Sequence, residues 1–336
     1  VAVITVALAG PFTARAAREW GTLTGDPGAK IIALGRHDPA AVTINALRIA
    51  ATVLATPSAA INGHTTGALN HLAAALHLPA RDGRLTFTGL PFTITTLSYP
   101  DEDHSPYPIQ ALAVLAGIGY GLGRSGKVRG YAGATAAALL LTAALVAWQP
   151  WINRLVLPTF VASAPLAGWA AGDLLDRWRG RSGYRVVAGG LAVVVLLAGL
   201  GAARAVWSGQ PRPLGGTGSV LTADREALRY ARGRDRRAGY EAAGARLAAS
   251  GARRIGVLES NVGWDYIWWV ELRRHGVNPV LVSLTSVLPR HPPARIGSVD
   301  AAVCTLSRTD CARWLPAGWR LTAYPGVSVL LPDSAR

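Results

Sequence analysis

Four long blocks of apolar residues, at 107–122, 131–148, 155–172 and 186–207, dominate the pattern of the chain. A helix that crosses the hydrocarbon core of a bilayer needs roughly 20 mostly apolar residues. None of the blocks carries an acidic residue, and their many small residues suit close packing between helices in a bilayer. We therefore predict four transmembrane helices within residues 107–207.

The chain opens on a shorter apolar stretch, "VAVITVALAGPF", at residues 1–12. Twelve residues are too few to span a bilayer as a helix. The chain does not begin with methionine and contains none. We interpret residues 1–12 as the end of a truncated transmembrane helix, and the chain as the C-terminal part of a longer protein.

Residues 13–106 are more polar and predict a long loop with short helices at 43–55 and 67–77. The first of these mixes apolar residues with Asn45 and Arg48, which suits a helix lying in the membrane interface. A further transmembrane helix is the alternative, but Arg48 and Pro57 count against it.

Basic residues between the apolar blocks predict the orientation. The loop 123–130 holds three basic residues and no acidic one, and the loop 173–185 holds four basic residues. Short loops rich in Lys and Arg stay in the cytoplasm. Residues 13–106, the linker at 149–154 and everything after 208 are then extracytoplasmic, which predicts a multi-pass protein of the cytoplasmic membrane.

From residue 208 the pattern changes to alternating helices and strands. Such alternation predicts a small extracytoplasmic α/β domain over 208–336 with a largely parallel sheet. Cys304 and Cys311 both lie in it, and they either form a disulfide or are two unpaired small residues. The predicted helices are 236–249 and 264–275, and the predicted strands are 254–259, 279–284, 300–306 and 326–332.

Composition supports a membrane protein. Only 16% of the residues are charged, against about 25% in an ordinary soluble domain. The net charge is +15. Part of the excess of basic residues lies in the loops beside the apolar blocks, where it indicates the orientation of the helices in the membrane and not nucleic-acid binding. The fold class is thus an α-helical polytopic membrane protein followed by a small α/β domain.

The densest polar cluster is "SYPDEDHSPYP" at 98–108. Its residues Asp101, Glu102, Asp103 and His104 suit a divalent cation site, a general base or a site that positions sugar hydroxyls. The alternative is a solvated acidic turn before a helix, where the helix dipole favours negative charge.

A second cluster is "LVAWQPWINRLVLPTF" at 145–160. Trp148 and Trp151 suit the membrane–water interface, where indole rings concentrate. Arg154 suits a bidentate contact with a phosphate, and its alternative is a side chain that extends to the interface.

These stretches resemble bacterial membrane glycosyltransferases of family 39, which have the GT-C fold. "WQPWINRLVLPTFVASAPLAGW" is similar to their tryptophan-rich linker with Arg-x-x-x-Pro, and "PDEDHSPYPIQALAVL" to their acidic motif before a span. "INALRIAATVLATPSAAIN" with "LNHLAAALHL" resembles their outer loop, and "GWDYIWWVELRRHGVNPVLVS" their C-terminal outer domain.

The resemblance implies transfer of a sugar from a polyprenyl-phosphate donor to a lipid, glycan or protein acceptor at the outer membrane face. Arg154 would contact the donor phosphate, and Asp101, Glu102 and Asp103 would shape the site or hold a divalent cation. The main catalytic base would lie upstream of Val1, so that the present chain alone would be inactive. The family has a histidine at the position of Asp101, so a role that needs this histidine does not carry over to the present chain.

Two other functional classes stay open at this point. One is a non-catalytic membrane protein whose α/β domain binds a glycan or a protein partner. In an enzyme, by contrast, the residues 101–103 and Arg154 must open onto one cavity. A transporter ranks last, because the spans contain almost no ionisable residue.

Overall fold

The computed structural model describes residues 2–22, 31–96, 100–259, 265–286 and 288–335, with side chains from residue 9 onward except that of Asp265. The chain divides into two compact units. The helical unit is Gly28–Asp224, and the α/β unit combines Val1–Pro27 with Arg225–Arg336.

The helical unit contains six α-helices in its described part. Three of them, α5 (Gly126–Leu145), α6 (Ile152–Trp178) and α7 (Tyr184–Ser208), are long and apolar enough to cross a membrane. Three of the four predicted transmembrane helices therefore meet this criterion, which suggests a membrane-associated protein. The block at 107–122 forms α4, a shorter apolar helix of 15 residues, or about 22 Å at 1.5 Å per residue. The helices are α2 (Pro39–Val53), α3 (Ala59–Ala75), α4 (Pro108–Leu122), α5 (Gly126–Leu145), α6 (Ile152–Trp178) and α7 (Tyr184–Ser208).

Capping residues in the sequence explain where the helices α2 and α3 begin. The Asp38 carboxylate accepts a hydrogen bond from the Ala41 backbone N–H at 3.0 Å and caps α2. Ser58 caps α3 in the same way through the Ile61 N–H. Such caps satisfy backbone donors that a helix start leaves unpaired. Both helices therefore start earlier than the predicted 43 and 67.

Two glycines of α4 allow it to pack closely against its neighbours. A Cβ atom at Gly117 would lie 2.5 Å from the backbone nitrogen of Ala167 in α6. One at Gly121 would lie 2.9 Å from the Cβ of Ala132 in α5. This is the spacing of small residues, four apart, that lets membrane helices approach. The contact sets the distance between α4, which begins at the end of the stretch 98–108, and α6, whose first turn carries Arg154.

The helix α2 packs inside the helical unit. Its residues Ile44, Asn45 and Arg48 are each 1% exposed. The Asn45 amide donates to the carbonyls of Ala143 and Val146 and accepts from the Trp148 N–H. The polar residues that suggested an interfacial helix are thus buried in protein, and the interfacial location stays a prediction.

The helix α7 has no buried residue. One polar contact joins it to α4, where the Gln110 side chain donates to the Ala198 carbonyl at 2.9 Å. A helix that is apolar on every side and covered by little protein is suited to lipid as its solvent.

The two basic loops meet at one end of the helical unit. Arg124 forms an ion pair of 2.7 Å with Asp173, and Arg177 pairs with the same carboxylate at 3.0 Å. The structure thus groups these loops as the charge pattern predicted. Much of each predicted loop is helical, because α5 begins at Gly126 and α6 continues to Trp178.

The α/β unit has a five-stranded sheet in the order β2-β1-β3-β5-β4. The pairs β1–β2 and β1–β3 are parallel, whereas β3–β5 and β4–β5 are antiparallel. The prediction of a largely parallel sheet is therefore wrong for half of the pairs. The elements are α1 (Ala2–Trp20), α8 (Arg225–Arg229), α9 (Arg237–Ala249), β1 (Arg254–Leu258), α10 (Asp265–Arg274), β2 (Val280–Ser283), β3 (Ala301–Cys304), α11 (Arg308–Ala312), β4 (Trp319–Tyr324) and β5 (Val327–Pro332).

A disulfide joins Cys304, at the end of β3, to Cys311 in α11. Both cysteines are fully buried. Of the two alternatives for these cysteines, the structure therefore shows the disulfide.

Two predicted boundaries move. The α/β unit begins at residue 225 and not at 208, because backbone hydrogen bonds tie Gln210 to Pro100 and Glu102 in the helical unit. The first helix, α1, does not end at residue 12 but continues to Trp20.

Candidate functional site

The acidic loop, residues 100–105, is folded around the side chain of Asp101. Its Oδ1 accepts from the backbone N–H of Asp103 and lies 2.9 Å from Nδ1 of His104. The Asp101 carbonyl accepts from the Ser105 N–H. An aspartate that bonds to the backbone two residues ahead favours a tight turn. Ser98 and Tyr99, the start of the predicted cluster, lie outside the described residues.

The acidic loop is attached to the end of α7. The Gln210 N–H donates to the Pro100 carbonyl at 2.8 Å, and the Glu102 N–H donates to the Gln210 carbonyl at 3.0 Å. Residues 101 and 210 therefore form a parallel β-bridge. The contact brings together two segments more than one hundred residues apart in the chain.

Arg154 lies in the first turn of α6 and pairs with the acidic loop. Its Nη1 is 2.5 Å from Oδ1 of Asp103. The Asp103 side chain is 16% exposed and that of Arg154 is 54% exposed. A charge-assisted bond of this kind fixes both groups, and the Arg154 guanidinium keeps surface for a further anion.

Asn153, the neighbour of Arg154, holds the acidic loop from inside. Its buried amide donates to the Ser105 carbonyl at 3.1 Å and, at longer distance, to the His104 carbonyl. The Tyr107 hydroxyl donates to the Asn153 carbonyl at 3.1 Å, and burial raises the pKa of that hydroxyl. Asn153 therefore positions the loop against α6.

A cavity of about 310 Å³ lies between the acidic loop and the end of α7. The cavity is open to solvent and lies at the small end of the volumes found for ligand sites, and both polar and apolar residues line it. Asp103 and Arg154 do not line it, so that of the residues expected to share one cavity in an enzyme only Asp101 and Glu102 do so. The lining residues are Pro100, Asp101, Glu102, Ser105, Ala205, Val206, Gly209, Gln210 and Arg212.

Three residues of this region were missed by sequence reasoning. Asn153 stood out only as part of the linker at 149–154, whereas Gln210 and Arg212 lie in "QPRPLGGTGS", whose composition is typical of a linker. One available signal was the position of Arg212 just beyond the end of a span, where a cation beside the headgroups is well placed for phosphate. Arg212 gives the cavity a cation beside the carboxylates of Asp101 and Glu102.

A divalent cation at Asp101, Glu102 and Asp103 stays a prediction. Within the described ranges, no group of three or more His, Cys, Asp or Glu is placed to hold a metal ion. Oδ1 of Asp101 is engaged by the loop itself, and Asp103 pairs with Arg154. We derive no chemical step through a metal.

The interface prediction for Trp148 is wrong. Trp148 is fully buried, its Nε1 donates to Thr52 at 2.9 Å, and its ring meets the edge of Phe92 with centroids 4.9 Å apart. An indole whose N–H finds a protein acceptor packs well inside a core. Trp151 is half-buried against Phe87, so an interfacial position for it stays a prediction.

The predicted residues thus form one neighbourhood. Asp101, Glu102, Asp103 and His104 make the acidic loop, Arg154 joins it through Asp103, and the end of α7 completes the cavity. Comparisons of the chain with protein-family models, with curated proteins and with solved structures find no match.

Proposed function

We propose that the chain belongs to a membrane glycosyltransferase that moves a sugar from a polyprenyl-phosphate donor to a lipid, glycan or protein acceptor. The proposal places the acidic loop and the cavity at the outer face of the cytoplasmic membrane, with the α/β unit outside the cell. The basic loops 123–130 and 173–185, which carry the charge expected of cytoplasmic loops, support that orientation.

One observation carries the proposal: a cavity at the end of an apolar helix combines carboxylates with a cation. Asp101, Glu102 and Arg212 are all among its lining residues. Carboxylates suit sugar hydroxyls, and an arginine suits a phosphate. The apolar residues Ala205 and Val206 suit the first part of a lipid chain.

The reaction needs these groups for binding and charge stabilisation. In an inverting displacement the acceptor oxygen bonds to the anomeric carbon as the bond from that carbon to the phosphate oxygen breaks. The acceptor proton passes to a carboxylate base, and polyprenyl phosphate leaves with the electron pair. Preorganised cations stabilise the charge that develops on such a leaving group, which is the role we propose for Arg154 and Arg212.

Arg154→Ala in the full-length protein tests the proposal. We expect the variant to insert in the membrane but to lose at least 100-fold in transfer from polyprenyl-phosphate sugars, since one lost transition-state contact costs about 3 kcal/mol. The matched control is Arg84→Ala, because Arg84 is also exposed and also pairs with an aspartate, Asp82, at 2.8 Å. Equal transfer by both variants would refute the phosphate role and favour a non-catalytic binding protein.

A further inference from the structure

A polar stripe on α2 is buried inside the helical unit. Asn45, Arg48 and Thr52 lie three and four residues apart, so that they share one face of the helix. Asn45 and Arg48 are each 1% exposed and Thr52 is 7% exposed. A buried stripe of this kind is costly unless each polar group has a partner.

Both ends of the stripe are paired. Asn45 bonds to three backbone groups of the segment 143–148. The Thr52 hydroxyl donates to the Arg48 carbonyl at 2.8 Å and accepts from Nε1 of Trp148 at 2.9 Å. The segment 143–148, at the end of α5, is thus hydrogen-bonded to α2 both before and after Arg48 in the sequence.

The Arg48 guanidinium in the middle lacks such partners. Its Nε and Nη2 are enclosed and have no acceptor among the described residues. Its nearest aromatic contact is the Phe92 ring, 5.5 Å from Cζ. Burial lowers the pKa of Arg48, yet an arginine stays protonated in proteins. A buried cation without a counter-charge costs several kcal/mol.

Two further buried atoms, one on the turn at 149–151 and one in the first turn of α6, have no partner in the part of the chain that the structure describes, and the Asn153 amide nitrogen lies 3.5 Å from the Thr52 carbonyl at the end of the stripe. Nε2 of Gln149 is a second donor without an acceptor, and Oδ1 of Asn153 is an acceptor without a donor. Gln149 is 1% exposed and Asn153 is 2% exposed. A phosphate that keeps one proton supplies acceptor oxygens, a hydroxyl donor and the missing negative charge.

Arg154 is different in this respect. It is half-exposed and already pairs with the Asp103 carboxylate. Of these two arginines, Arg48 is the one whose charge has no counter-ion among the described residues.

We propose that Arg48, with Gln149, binds the phosphate group of a small or lipid-linked phosphate. The guanidinium fork suits two phosphate oxygens, and Gln149 supplies a third donor. Because Arg48 is 1% exposed, binding requires Phe92 or the turn at 149–151 to move aside. The proposal concerns binding alone and stands or falls independently of sugar transfer.

Thermal unfolding of the full chain in detergent micelles tests the proposal. Wild type, Arg48→Met and, as the control, Arg84→Met, whose side chain is exposed and pairs with Asp82, are titrated with inorganic phosphate and, separately, with farnesyl phosphate. Sodium chloride at matched ionic strength is the reference, because salt alone screens charges. A third variant, Arg48→Lys, keeps the charge without the fork in case Arg48→Met does not fold.

We expect saturable stabilisation of wild type and of Arg84→Met, with the apparent Kd at least tenfold weaker in Arg48→Met and in Arg48→Lys. A response to both ligands assigns the phosphate group itself, and a response to farnesyl phosphate alone assigns a lipid-linked source. No response of wild type beyond that to chloride overturns the proposal. So does a response that survives in the Arg48 variants, or one that is lost equally in Arg84→Met.

Discussion

Replacement of Gly117 by alanine should separate α4 from α6 and so disturb the candidate site. The new Cβ would lie 2.5 Å from the Ala167 nitrogen and 2.7 Å from its Cα, whereas ordinary contacts begin near 3.4 Å. The obstacle is backbone and cannot rotate away. The helices must therefore part by about 0.9 Å, the difference between 3.4 and 2.5 Å.

The size of the effect follows from that displacement. Overfilling a packed contact costs about 1–3 kcal/mol, and a gap of 0.5–1 Å loses a quarter to a half of the dispersion energy of the surrounding atoms. Gly119 in the same helix has no atom within 4 Å of the position that a Cβ would take, so Gly119→Ala gains about 0.5–1 kcal/mol of helix propensity without a clash. Gly117→Ala gains the same helix propensity. The difference in free energy of unfolding between the two variants therefore measures the cost of the clash between the new Cβ and Ala167.

Reversible unfolding in mixed micelles, followed by tryptophan fluorescence, measures both variants. We expect Gly117→Ala to be less stable than Gly119→Ala by about 1–3 kcal/mol. Because α4 follows the acidic loop and α6 carries Arg154, the same variant should weaken the Arg154–Asp103 pair. Equal stabilities of the two alanine variants would refute the close α4–α6 contact.

Three further predictions concern the buried indole, the disulfide and one carboxylate. Trp148→Phe should lower the free energy of unfolding by about 2–4 kcal/mol, through lost volume and a lost hydrogen bond; a change below about 0.5 kcal/mol would instead fit an interfacial ring. Replacing both Cys304 and Cys311 by alanine should cost roughly 2–3 kcal/mol, because the disulfide closes a short loop of sequence separation 7, and wild type treated with reductant should lose the same amount in denaturant titrations. The N–H groups of Arg254 and Arg253 donate to Asp300 and hold its pKa below the usual 3.8. The ionised Asp300 carboxylate therefore stabilises the folded chain above pH 3.8, and this stabilisation is lost as the pH falls through the lowered pKa. Acidification should then reduce the free energy of unfolding more in wild type than in Asp300→Asn. Parallel acid curves for the two proteins would contradict this.

The fold was predictable where apolar runs are long or strands are buried. The strand β5, buried at five of its six positions, was predicted at 326–332 and begins one residue later, whereas β4 was missed. None of the β4 residues is buried, because β4 is an edge strand, and such a strand gives a weak alternation of apolar and polar positions. The Pro325–Gly326 turn before β5 was the available signal.

The site was predictable only within single stretches of sequence. The acidic loop and Arg154 were recognised separately, and the structure brings them together through Asp103 across 51 positions. The end of α7 lines the cavity together with Gln210 and Arg212. This arrangement depends on the backbone hydrogen bonds between Gln210 and the acidic loop, and no local sequence pattern predicts them. The position of Trp148 depends in the same way on an acceptor, Thr52, that lies 96 positions away.

The most direct test of the account is the position of a bound donor. A polyprenyl-phosphate sugar with a photoreactive group beside the phosphate is added to the full-length protein in proteoliposomes, and labelled peptides are mapped by mass spectrometry. We expect labels at residues 100–105 and 205–212, reduced by unlabelled donor and by Arg154→Ala but not by Arg84→Ala. Labels confined to residues 225–336, or labels that unlabelled donor does not reduce, would contradict a donor site in the helical unit.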